Sequence, residues 1–136
     1  MDLRYVFISL CTFCLLVLSC GDPDDDMTVG TETASPEAVR NILQMSCSFS
    51  SCHGMGRGAG GLSLLPDPIT RIVGVNATGR PEKILVVPGS VADSYLMEKL
   101  TLEMPEVGDR MPPSVALETE RLDVLRRWIE AGAPSQ

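Results

Sequence analysis

The stretch "CSFSSCHGMGRGAGG", residues 47–61, decides how the rest of the chain is read. It holds the single histidine, His53, directly after Cys52, and Cys47 lies five positions upstream of Cys52. Two thiols beside an imidazole admit three chemistries: a disulfide loop, a metal site, or an attachment point for a prosthetic group. What surrounds the stretch bears on the choice.

The chain has 136 residues, the length of one domain. Its aromatic content is only 4%, and Tyr5, Phe7 and Phe13 fall before position 20. Beyond them stand Phe49, Tyr95 and Trp128, diluted by the 12 Gly and 10 Pro of the chain. Large aromatic side chains usually dominate core burial. Small domains short of core material rely on disulfides, metals or a cofactor. The net charge of −7 argues against a nucleic-acid surface, so no nucleic-acid partner is expected. The acidity reads first as solubility, and secondarily as steering toward a basic partner.

The N-terminus reads as an address. Arg4 precedes an apolar stretch from Tyr5 to Leu18. That stretch is short of the roughly 20 residues a spanning helix needs and fits a secretory signal. Its end, Val17-Leu18-Ser19-Cys20-Gly21, resembles a bacterial lipobox, which implies lipidation of Cys20. The other reading is an uncleaved anchor helix. Both put the domain outside the cytoplasm, in the cell envelope, facing the periplasm or the surface. Residues 1–19 are thus expected to be a signal peptide that carries away Cys11 and Cys14. The acidic, aperiodic residues 20–34 are expected to be a disordered tether to the membrane. The folded domain is expected over 35–136, with Cys47 and Cys52 as its cysteines.

Within the domain, Ser35, Pro36 and Glu37 are start signals for a helix over 35–47, and Val39, Ile42 and Leu43 supply its apolar face. "DPITRIVG" (67–74) predicts a short second helix. "EKILVVPGS" (82–90) predicts an extended segment ending in a turn. Ser90 is expected to cap a helix over 91–100, followed by a loop with three prolines at 103–114. The last helix, within 118–133, shows Leu122, Leu125, Trp128 and Ile129 on one stripe and a stop at Gly132. The expected class is therefore all-α: three to four short helices joined by long Gly/Pro loops that need something to wrap around. The five glycines of 54–61 are not followed by the Lys of a phosphate loop. They read as a flexible loop or as backbone passing close to a bulky ligand.

The signature for haem attachment is C-x-x-C-H: two thiols add to the vinyl groups and the histidine ligates iron. Here four residues, not two, separate the cysteines. The chain resembles the small c-type cytochrome domains of bacterial lipoproteins, of the planctomycete and myxobacterial type with a widened C-x4-C-H motif. The resemblance rests on the order of "SCSFSSCHG", "GGLSL", "RIVG", "VVPGSVADSYLMEKL", "GDRMPP" and "LRRWIEAGA" along about 100 positions. It implies a cytochrome c-like fold around haem c, thioethers at Cys47 and Cys52, and His53 as the proximal iron ligand. It implies Met111 of "GDRMPP" as the distal ligand, on a loop stiffened by two prolines, and a methionine ligand raises the reduction potential relative to a second histidine. Met104, also followed by proline, is the rival. Met55 is too close to His53, and Met97 reads as core. A second histidine ligand from this chain is excluded.

The resulting expectation is a monohaem c-type cytochrome, lipid-anchored at Cys20, that exchanges single electrons with a redox partner protein and is not an enzyme. Arg57, Arg71 and Arg80 are candidate partners of the haem propionates. Two other chemistries stay open from the residues. One is a Cys47–Cys52 disulfide in a structural or binding module. The other is zinc held by these three residues and a carboxylate. A haem-based sensor or a subunit of a larger oxidoreductase is a further possibility.

Overall fold

The structure is a computed structural model that describes residues 34–136. The expected signal peptide, Cys20 and all of the tether except Ala34 lie outside the described residues.

The first helix, α1 (Pro36–Cys47), begins as its sequence requires. The Ser35 hydroxyl accepts a hydrogen bond from the Ala38 N–H at 3.1 Å, and Pro36 occupies the first turn. Ala38, Val39, Ile42 and Leu43 form its buried face. Asp67 caps the short helix α2 (Pro68–Ile72) by accepting from the Ile69 N–H at 3.2 Å. The same carboxylate takes the Arg40 guanidinium at 3.1 Å, which fixes α2 against α1. The last helix, α4 (Thr119–Glu130), buries Val124, Leu125, Trp128 and Ile129. It stops where predicted: Gly132 adopts φ 93° and its N–H returns to the Ile129 carbonyl at 2.9 Å. Trp128 is wholly buried, and its indole N–H donates to the Pro134 carbonyl at 2.9 Å. Both α2 and α4 pack on α1, and the three share one apolar core.

The all-α expectation is corrected. The described chain is mixed α/β, with four helices and a two-stranded antiparallel sheet. Strand β1 (Asn76–Ala77) pairs with β2 (Arg80–Ile84) in the register Asn76↔Ile84 and Ala77↔Arg80, with an irregularity between Asn76 and Ala77. Thr78 and Gly79 make the turn between them. The strand was partly visible in the extended reading of 82–90. Its partner was not, because two residues cannot show alternation, and Thr-Gly is outside the strong hairpin dipeptides. Beyond β2, the Leu85 N–H bonds the Val75 carbonyl at 2.8 Å and the Val86 N–H bonds the Ile72 carbonyl at 3.1 Å. The extended segment is thereby docked on the end of α2.

The third helix is also shorter than predicted. It is α3, Tyr95–Thr101, not 91–100. Ser90 does cap something, but a turn: its hydroxyl donates to Asp93 Oδ2 at 2.6 Å and accepts from the Asp93 N–H at 3.3 Å. Local side-chain bonds of this kind compete with helix formation. Ser94, nearly fully buried, accepts from the Val87 N–H at 2.9 Å and donates to the Ser90 carbonyl at 2.6 Å. The expected loop between the last two helices is found without helix or strand from Leu102 to Glu118. Among the described residues, no helix is long and apolar enough to cross a membrane.

Candidate functional site

Cys47 is the last residue of α1. The chain then folds back at once. The Cys52 and Gly54 N–H groups both reach the Phe49 carbonyl, at 2.9 and 3.0 Å, and the His53 N–H returns to the Cys47 carbonyl at 3.0 Å. The four residues between the cysteines are thus taken up in a tight turn, and the ends of the motif are brought together. Gly54 permits this, because a Cβ there would sit 2.0 Å from the Ser48 carbonyl oxygen.

His53 is fixed at three points. Its N–H is held by Cys47, its carbonyl accepts from the Leu64 N–H at 2.8 Å, and its Nδ1 lies 3.0 Å from the Leu62 carbonyl oxygen. A carbonyl can only accept, so Nδ1 is the donor. In the neutral ring this leaves the Nε2 lone pair available to a ligand. A backbone carbonyl on the far nitrogen is the usual way a metal-binding histidine is oriented.

The glycine-rich segment serves this arrangement. Of the expected glycines, Gly56 and Gly61 line a cavity beside Leu62, whereas Gly54 and Gly58 are packed against their own loop. A Cβ on Gly58, which has φ 67°, would lie 1.8 Å from the Leu62 carbonyl oxygen, the acceptor of the His53 bond. The backbone of Gly58 passes close to its own loop. Gly56 and Gly60, also at positive φ, face open space.

Both cysteines are half-buried free thiols. The Cys47 thiol is pushed up to about 11, first by burial and second by the neighbouring Cys52 charge. It is protonated at neutral pH. Among the described residues, no group of three or more His, Cys, Asp and Glu side chains is placed to hold a metal ion. The two thiols and the imidazole are neighbours without converging on one point.

The methionines separate by exposure. Met104 is 89% exposed and Met55 is 66% exposed, whereas Met97 is core, as expected. Met111 is half-buried against the core, and its N–H donates to the Lys99 carbonyl at 2.7 Å. Of the candidate arginines, Arg80 is bound to Glu82 and, at 2.8 Å, to Glu106. Arg57 and Arg71 line a cavity of about 340 Å³ together with Leu62, Thr70, Asn76 and Thr78. Leu62 therefore belongs to both the histidine's hydrogen bond and this cavity.

Sequence reasoning singled out Cys47, Cys52, His53 and Met111; Leu62, which holds the His53 ring, and Gly58, which lies against the Leu62 carbonyl, were not singled out. Leu62 acts through its carbonyl, and no residue type advertises that. Gly58 was one of five glycines with nothing in the sequence to single it out. Compared with family models, with curated proteins and with solved structures, the chain matches none.

Proposed function

We propose that the chain is a monohaem c-type cytochrome that transfers single electrons in the cell envelope, tethered by a lipid on Cys20. The observation that carries this reading is the closed turn from Cys47 to His53, with Nδ1 held by Leu62 and Nε2 left free. The widened motif places its histidine directly after Cys52, and the His53–Cys47 backbone bond offsets the two extra residues.

The donor set fits haem c. Each thiol can add across a vinyl double bond, sulfur to one carbon and hydrogen to the other, with no leaving group. Cys47 and Cys52 would be bonded to the organic ring and not to the iron, so they need not converge with His53 on one point. His53 and Met111 would hold the iron. The half-burial and backbone hydrogen bond of Met111 favour it over the exposed Met104. Bound haem supplies a one-electron Fe(III)/Fe(II) couple, and a methionine ligand sets it higher than a second histidine does. Arg57 and Arg71 give the cavity beside Leu62 a cationic lining suited to the propionates. The acidic chain favours a basic redox partner.

The second reading is a Cys47–Cys52 disulfide in a binding module, favoured by the turn that folds the two ends of the motif back on each other. A reduced-minus-oxidised visible spectrum separates the two. The protein is expressed in a host with a cytochrome c maturation system. Sharp reduced bands, lost in His53→Ala, are expected. A colourless protein without titratable thiols would establish the disulfide module instead.

A further inference from the structure

The segment Leu102–Glu118 has no helix or strand of its own, yet it carries Met111. Its order depends on what ties it down, and one residue of α3 supplies three of the ties. The Lys99 carbonyl accepts the Met111 N–H at 2.7 Å. The Lys99 ammonium donates to the Val107 carbonyl at 2.8 Å and also to the Asp109 carbonyl. Between them Gly108 adopts φ 67°, and a Cβ there would lie 3.5 Å from Nζ. The loop bends around the ammonium and then presents Met111. From β2, Arg80 holds the same loop through Glu106 at 2.8 Å.

We propose that Lys99 is a positioning residue for Met111: its ammonium gathers the Val107 and Asp109 carbonyls and its own carbonyl holds the Met111 backbone, fixing the residue whose thioether would hold the iron. This rests on the cytochrome reading above. A lysine on a helix surface ordinarily extends into solvent, where holding its long side chain in one geometry costs entropy. Here its charge is spent on backbone oxygens two residues apart. Hydrogen bonds from a charged donor are the stronger kind.

The test uses the haem-loaded full chain and three variants: Lys99→Met, which keeps the stem and removes the donors, Lys99→Gln, and Lys99→Arg. The readouts are the far-red thioether-to-iron band of the ferric protein, the midpoint potential, and the affinity for added imidazole. Lys99→Met is expected to weaken the band, lower the potential and raise imidazole affinity roughly tenfold or more, the scale of one lost charge-assisted bond. Lys99→Arg is expected to restore all three, and Lys99→Gln serves if Lys99→Met does not fold. A fourth readout needs no haem: hydrogen exchange at the Met111 amide should quicken in Lys99→Met before attachment. An unchanged band, potential and imidazole affinity in a folded Lys99→Met or Lys99→Gln overturns the proposal and leaves the cytochrome reading intact. So does a haem-bearing wild type without the far-red band. A wild type without haem overturns both.

Discussion

The His53 imidazole is held by the Leu62 carbonyl at 3.0 Å, and the backbone of Gly58 passes so close to that carbonyl that a methyl group would collide with it at 1.8 Å. The orientation of the histidine thus depends on a glycine five residues away in sequence.

Gly58→Ala is expected to displace Leu62 and release Nδ1. Gly56→Ala is the control, since Gly56 shares the positive φ but faces open space. Strain alone costs about 1–3 kcal/mol at such a position. Gly58→Ala should therefore lower the thermal midpoint more than Gly56→Ala does, because it adds a collision to the strain. Equal losses in the two variants would show that the close approach does not matter.

Trp128 anchors the core and also satisfies the Pro134 carbonyl at 2.9 Å. Trp128→Ala is expected to destabilise by about 3–5 kcal/mol, the range for removing a buried aromatic side chain. Trp128→Phe should recover most of this and lose only the hydrogen bond. Chemical denaturation with tryptophan-independent detection, such as far-UV circular dichroism, checks both.

Ser94 holds two backbone groups from a buried position, accepting from Val87 and donating to Ser90. Ser94→Ala leaves the Val87 N–H without that acceptor. A loss of about 1–3 kcal/mol is expected, the cost of an unsatisfied buried group. Ser94→Thr, which keeps the hydroxyl, should lose less if the extra methyl is accommodated. Urea unfolding of the two variants measures the difference.

The Cys47 thiol links stability to pH. Its folded value is raised from 9.0 to about 11, so the unfolded chain gives up this proton first as pH rises. The contribution is fully present below about 9 and is lost as pH climbs through about 11. The displacement corresponds to at most roughly 2–3 kcal/mol. In the chain lacking haem, wild type should lose more stability than Cys47→Ser across that window. Haem attachment should abolish the difference, because a thioether has no proton to lose.

Much of the helical framework was legible because it is local. Ser35 with Pro36 marks the start of α1, and Gly132 marks the end of α4. The spacing of Leu125, Trp128 and Ile129 marks the buried face between. The sheet was not legible, since β1 is two residues long and owes its pairing to the docking of Leu85 and Val86 on the end of α2. The start of α3 was misplaced because Ser90 is equally good at closing a turn with Asp93. At the site, the residues with reactive side chains stood out. Those acting through backbone or through missing atoms, Leu62 and Gly58, did not. Lys99 did not stand out, because its acceptors lie 8 and 10 residues downstream in an aperiodic loop.

The most direct test of the central claim is a haem stain of the denatured protein on a gel, after expression in a host that matures c-type cytochromes. Haem that stays on the band in wild type, and is lost when Cys47 and Cys52 are both replaced by Ser, is the expected result. A wild-type band free of haem, from a host that loads a control cytochrome c, would contradict the account.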